Sequence, residues 1–407
     1  MFLRWITGFP ISLALMPAQF LTEYNSLYDI DYAALRKSRK ENGVVISNHV
    51  IDSTRQAKID FCEVMSDVPR KIPLKDQKII IHGMGASDFY ENHLSEYAHL
   101  AKKHPHYRVV GFNFRGVMAS KGRAWSEEDW INDTIAVVKY YRKQGVPWRN
   151  ILLHGHSMGG AILTMAAAKI YQENKEKAQK RNSKNTIVKC VGLINNRSFA
   201  NLTDEIIISF LQRKESAILT GIVYGALLGI ALNISLLLSM FIVTSMLLAT
   251  LSVSEKLTQG LLRPWLEVAL WLTFGKMNAV SAYKKLPDEV VDYVVVKNDG
   301  IIKDKAGLHH ALKPLNKIKK SRFKTMLENA KGNKFIQTAR DALLNLKDSK
   351  LHLEEEPERG FRAHVAPLSQ LSTYHRYRTQ HTNDKLPRQL SGEKVLENKL
   401  RRLLKAK

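Results

Sequence analysis

At 407 residues with 45% apolar content, the chain has ample material for a core and room for one large domain with insertions, or for two domains. Lys plus Arg number 62 against 38 acids, a formal charge of +24, which points to an anionic surface, either phospholipid or nucleic acid. The basic residues are not gathered in one domain and no nucleic-acid motif accompanies them, so an anionic membrane surface is the expected partner and nucleic acid is not; two cysteines and 14 histidines without metal-ligand spacing argue against a disulfide framework or a metal.

Residues 1–22 carry one charge, Arg4, and Trp5 to Leu21 is apolar but holds Pro10 and Pro17. The run fits a signal peptide in charge and length, although no clear small-x-small cleavage site follows. A retained membrane-surface anchor is the alternative. We divide the chain into an N-terminal apolar segment and linker over 1–42, the first part of an α/β core over 43–200, an insertion over 201–290, the second part of the core over 291–380 and a basic tail over 381–407.

Val44–Ile46 and Ile59–Val64 predict a hairpin. Lys78–Ile81 is a buried strand running into the glycine loop His82-Gly83-Met84-Gly85. Residues 91–103 predict a helix, Tyr107–Phe112 a strand, and 127–144 a helix with apolar residues at Ile131, Ile135, Val138 and Tyr141. A strand over 151–156 is followed by a helix to about Lys180 and a strand over 187–194. The alternation stops near Ala200 and resumes at Asp292–Val296, with a last strand near Lys350–Leu353. Strands alternating with helices across short loops predict a mostly parallel sheet with helices on both faces. Cys62 and Cys190 fall in apolar strand-like runs and read as buried thiols.

From Ser216 to Ser254 no residue is charged, and Gly221, Gly225 and Gly229 recur every four residues. A bilayer span needs roughly 20 residues, so the stretch has length for two. Strands before and after it belong to one sheet, which excludes a single crossing. A membrane hairpin and a buried helical cap both remain open. Pro264–Leu272, with Trp265 and Trp271, suits an interfacial helix or a core helix.

The chemistry is concentrated at Gly155-His156-Ser157-Met158-Gly159-Gly160, a G-x-S-x-G pattern between a strand and a helix. Glycines beside the serine remove side chains that would clash in a tight turn. Ser157 is thus the expected nucleophile, at the positive end of a helix. An inert serine in a strand–helix turn is the plainer reading. A serine hydroxyl needs a base, and the base an orienting acid. In the order Ser, acid, His, Asp299 follows the penultimate strand and His364 follows the last. Asp304, His352, His375 and His381 are the less favoured candidates. The backbone N–H groups of Met84 and Met158 are the expected oxyanion donors. No cofactor and no metal is implied.

Together these motifs, with Asn113-Phe114-Arg115-Gly116 and Ser120-Lys121-Gly122, resemble the α/β-hydrolase superfamily from about Gly43 to Gln380. Many relatives carry aspartate where this chain has Asn113. The resemblance implies an α/β-hydrolase fold and a serine hydrolase that cleaves acyl esters; the apolar insertion and the positive charge add the expectation of a membrane-associated enzyme acting on lipid esters. Asn195-Asn196-Arg197-Ser198-Phe199-Ala200 and the long apolar insertion resemble, more narrowly, the SidB/Sdb group of Legionella type IV secretion effectors. That likeness implies delivery into a host cell and action near membranes. The rival expectations are a catalytically silent hydrolase fold that binds a membrane or host protein, and a thioesterase or deacylase.

Overall fold

The computed structural model describes residues 8, 11–13, 15–20, 32–67, 73–180, 190–212, 255–287, 290–296, 302, 306–308, 310–312, 350–353 and 375–376. Ten strands form one sheet: β1 Arg39–Glu41, β2 Val44–Asp52, β3 Lys58–Ser66, β4 Lys78–Gly83, β5 Tyr107–Phe112, β6 Ile151–His156, β7 Gly192–Asn196, β8 Val291–Val296, β9 Lys350–Leu353 and β10 His375–Arg376. Their order across the sheet is β1-β2-β3-β5-β4-β6-β7-β8-β9-β10. β1 to β3 form an antiparallel meander that joins β5. From β5 to β9 every pairing is parallel, and β10 closes the edge antiparallel to β9.

Besides a single turn at Tyr32–Leu35, the helices among the described residues are α1 Leu94–Lys103, α2 Glu127–Lys143, α3 Met158–Lys180, α4 Leu202–Gln212, α5 Glu255–Thr273 and α6 Ala279–Lys285. Parallel strands need crossovers, and the helices supply them on both faces. Covered on both sides, the central strands read as unbroken apolar runs, such as Ile79-Ile80-Ile81 and Ile151-Leu152-Leu153, every residue of which is buried. The period of two divides the cores. Val110 and Phe112 of β5 enter the larger cluster with α2 and α3, while Val109 enters the smaller one with Tyr97 of α1.

A buried ion network ties the loop after β5 to α2. Arg115 is fully buried. Its Nε donates to both oxygens of Asp133 at 3.1 and 3.0 Å, and its Nη2 to Asp133 Oδ1 at 2.6 Å. Nη1 donates to Asp129 Oδ1 at 3.1 Å, and Nη2 reaches Ser53 Oγ and Thr54 Oγ1 in the β2–β3 turn. Asp129 also completes a capping box with Ser126 at the start of α2.

Three findings amend the sequence expectations. The N-terminal apolar run supplies core rather than only a leader or anchor: Ile11, Leu15, Met16 and Ala18 are buried, and the Ala18 N–H donates to Ala86 O at 3.1 Å. The physical reason is that these side chains fill the larger core cluster beside the loop after β4. The strand expected over 187–194 lies at Gly192–Asn196, because polar Asn195 and Asn196 are bonded inside the fold. His375, for which no strand was expected, pairs with His352 as an edge strand. Cys62 and Cys190 are buried free thiols. Among the described residues no helix is long and apolar enough to cross a membrane. The uncharged stretch 216–254 and the 381–407 tail lie outside the described residues.

Removing the Arg115 guanidinium strands two carboxylates in the interior. Arg115→Met is expected to lower stability by about 3–5 kcal/mol, read as a fall in the urea midpoint. An unchanged midpoint would show that the network contributes little.

Candidate active site

β6 ends at His156 and α3 begins at Met158, leaving Ser157 alone as the joint. Its φ is +53°, a left-handed conformation that costs a non-glycine residue free energy and persists only where its surroundings hold it. Two hydrogen bonds do so here. The Ser157 N–H donates to Asn196 O at 2.9 Å, and the Gly160 N–H donates to Ser157 O at 3.0 Å. The neighbouring glycines are sterically required. A Cβ on Gly155 would lie 2.5 Å from Gly159 O, and one on Gly159 would collide with the carbonyls of Gly83 and Met84.

That second collision places the loop after β4 directly against the first turn of α3. A Cβ on Gly85 would sit 3.4 Å from Ser157 Cβ. Met84 and Met158, the expected oxyanion donors, therefore flank the elbow on two sides. The Met84 side chain is buried in the smaller core and accepts a 3.9 Å contact from Tyr97 O–H at its sulfur. The Met158 side chain is buried in the larger one. The two side chains are thus anchored in different core clusters. The Met158 N–H is the first of α3 and has no intrahelical acceptor.

Beneath the loop lies a histidine cluster. His82 and His154 are register partners on β4 and β6, and their rings stack 4.7 Å apart at 7°. His82 Nδ1 is 2.8 Å from Tyr97 Oη. Burial pushes His82 well below the usual imidazole value and takes His154 down to about 4. Both are neutral at pH 7. Their neighbour His93 is the opposite case. Burial pulls it down, but Asp88 at 2.6 Å and Glu96 at 3.5 Å raise it to about 10. A cation held by two carboxylates thus sits edge-on to a neutral stacked pair, 5.4 Å from the His82 ring.

The Asn195-Asn196-Arg197 run braces the elbow from β7. Asn195 Nδ2 donates to Gly160 O and to Thr164 Oγ1, both at 2.9 Å. Asn196 accepts Ser157 N–H through its backbone and Arg197 Nε through its side chain at 3.0 Å. Arg197 is buried with φ +49°.

Asn113 is matched to a partner that sequence reading missed. Its Nδ2 donates to both oxygens of buried Glu91 at 3.2 and 3.0 Å, and Arg36 Nη1 reaches the same carboxylate at 3.1 Å. An aspartate would set two carboxylates face to face. Burial raises the Glu91 carboxyl to about 7 although Asn113 and Arg36 favour its charged form. Only the departure at Asn113 hinted at a compensating acid, and nothing in the spacing identified Glu91 or Tyr97.

Ser157, Met84 and Met158 are thus brought together. Asp299 and His364 lie outside the described residues, as do Asp304 and His381. β8 ends three residues before Asp299, and β9 ends eleven before His364. Among the described residues no group of three or more His, Cys, Asp or Glu side chains is arranged to hold a metal ion.

The parallel order β5-β4-β6-β7-β8-β9, with a serine elbow after β6, settles the architecture. This is an α/β-hydrolase fold. The family model for the alpha/beta hydrolase fold matches residues 79–191, the span from β4 through α3 that holds the elbow and its facing loop. Among solved structures, the chain is similar to an alpha-beta hydrolase from Vibrio vulnificus, at 16% identity and a TM-score of 0.43, over 75% of this chain and 79% of that one. It is also similar to an esterase from Pyrococcus furiosus, at 12% identity and a TM-score of 0.37, over 69% and 78%. No curated protein sequence matches significantly.

Two outcomes are expected from this geometry. Gly159→Ala should cost roughly 1–3 kcal/mol through overpacking against the 83–84 carbonyls and disturb the elbow, seen as a lowered melting temperature and at least tenfold slower reaction of Ser157 with a fluorophosphonate; wild-type reactivity would refute the close approach. Glu91 has a folded pKa above its unfolded one, so its contribution is full below about pH 4.5 and lost as pH rises through about 7. Wild type should therefore lose on the order of 3 kcal/mol relative to Glu91→Gln across that window, measured by urea titration at pH 4.5 and 8. Parallel pH profiles for the two proteins would count against it.

Proposed function

We propose that the protein is a serine hydrolase that cleaves acyl esters of lipids at an anionic membrane surface. The observation that carries the reading is the left-handed Ser157 at the joint of β6 and α3, packed against the glycine loop after β4. A strained residue braced by a neighbouring strand and by its own helix is costly to keep unless its side chain is used.

In this reading Ser157 Oγ attacks the ester carbonyl carbon while His364 takes its proton. Asp299 orients the imidazole and stabilises the imidazolium. The carbonyl oxygen becomes an oxyanion held by the N–H groups of Met84 and Met158, each worth about 3–4 kcal/mol in the transition state. The C–O bond to the alcohol breaks, and His364 returns the proton to the leaving oxygen. Water, deprotonated by His364, then releases the acid from Ser157. The fold supports this assignment through strand order, since the segments carrying Asp299 and His364 follow β8 and β9. His82 and His154 are poor rivals for the base, because burial lowers the basicity of both and their rings stack on each other. The charge of +24 and the uncharged stretch 216–254 support a lipid substrate at a membrane. They also fit the likeness of residues 195–200 to the SidB/Sdb effectors, and with it action inside a host cell. A thioester would pass through the same steps.

A fluorophosphonate probe should label the wild type and leave Ser157→Ala unlabelled. Asp299→Asn and His364→Gln should each lower kcat on a long-chain acyl ester by about 10³–10⁴. Equal labelling of wild type and Ser157→Ala would remove the serine from the mechanism, and vesicle binding without turnover of any ester would favour a silent binding module.

A further inference from the structure

Among the described residues, five large apolar side chains are strongly exposed, and four of them lie on α5: Trp265 at 78%, Trp271 at 57%, Val268 at 51% and Leu272 at 42%. At 3.6 residues per turn these four positions fall within about 120° of arc. None of the four is charged. The opposite side of the helix is also apolar, and it is the side that packs. Leu270 and Phe274 are buried, with the Phe274 ring 4.8 Å from Trp130. The charged side chains on its flank are paired: Arg263 with Glu267 and with Asp204 of α4, and Glu267 with Lys276 just beyond the helix. A helix apolar on both sides is suited to two apolar neighbours, and the sheet supplies one.

Three observations identify the second neighbour as lipid. Indole rings favour the boundary between hydrocarbon and water, and two of them stand on this arc. The uncharged stretch 216–254 ends at the residue before α5 begins, so this helix directly follows a long apolar segment of the chain. Residues 255–285 carry five Lys or Arg against two Glu, a balance that draws the helix toward anionic headgroups. The helix pair is also placed for access. α4 starts six residues beyond Asn196, which holds Ser157, and α6 returns to the same edge, where Val280 N–H donates to Ala200 O at 2.9 Å.

We propose that Trp265, Val268, Trp271 and Leu272 form the face by which the protein sits on an anionic phospholipid bilayer, with the α4–α5 pair beside the edge of the sheet that carries Ser157. This rests on the lipid ester hydrolase reading and names its docking surface. The face enters the boundary region while the sheet stays in water.

The full chain tests this with an environment-sensitive nitrobenzoxadiazole label at Trp265→Cys, and at Gln144→Cys in a control protein. Cys62 and Cys190 are buried and Gln144 is exposed before β6. Vesicles of phosphatidylcholine and phosphatidylglycerol at 7:3 are added. The label at 265 should brighten at least twofold, shift to the blue and be quenched by lipids carrying a nitroxide on the acyl chain, while the label at 144 does none of these. Co-flotation of the protein with vesicles and a silent label at 265 would overturn the docking face but leave the lipid reading standing. No flotation would overturn both. Brightening with protein concentration in the absence of vesicles would assign the face to a second copy of the chain, against the proposal. A lipid-dependent signal at 265 with no ester turnover would keep the face and remove the hydrolase reading.

Discussion

The structure turns on a steric constraint at one joint. The loop Gly83-Met84-Gly85 and the first turn of α3 approach so closely that Gly159 has no space for a Cβ. This contact is made by backbone against backbone. It forces Ser157 into a left-handed conformation and aligns the ends of β4 and β6. The same approach brings the loop after β4 beside Ser157, with a Cβ on Gly85 3.4 Å from Ser157 Cβ. β7 then supplies the brace: Asn196 holds the Ser157 amide and Asn195 holds the turn behind it.

Polar groups buried around this joint divide into those that fix position and those that set charge. Arg115 belongs to the first kind. A guanidinium is planar and always charged, so its donors lock the β5 loop, α2 and the β2–β3 turn in one arrangement. Glu91 and the histidines belong to the second. Neutral His82 and His154 stack near the loop after β4, and the charged His93 beside them is paired with Asp88 and Glu96. Holding the stacked pair neutral spares the elbow a competing cation beneath the loop that faces it.

The connection between β7 and β8 gives the fold its individual character. Instead of passing straight back to the sheet, the chain leaves at the elbow's edge and returns through α5 and α6. α5 buries one apolar side against the body and offers the other outward. The feature is visible only by comparing exposure around the helix, since Trp265 and Leu270 are equally apolar in sequence and opposite in environment.

The order of strands and helices was legible in the residues alone, because periodicity and glycine spacing act locally. Ile151 to Gly160 specify strand, turn and helix without reference to the rest of the chain, and β4, β5, α2 and α3 follow the same logic. Tertiary structure decided what local pattern cannot encode. The burial of Ile11, Leu15, Met16 and Ala18 in the larger core is a tertiary fact, which hydropathy along the chain does not reveal. The pairing of Asn113 with Glu91 and the bracing by Asn195 and Asn196 join residues far apart in the chain. Polar side chains in the interior are fixed by partners that only the folded sheet brings within hydrogen-bonding distance.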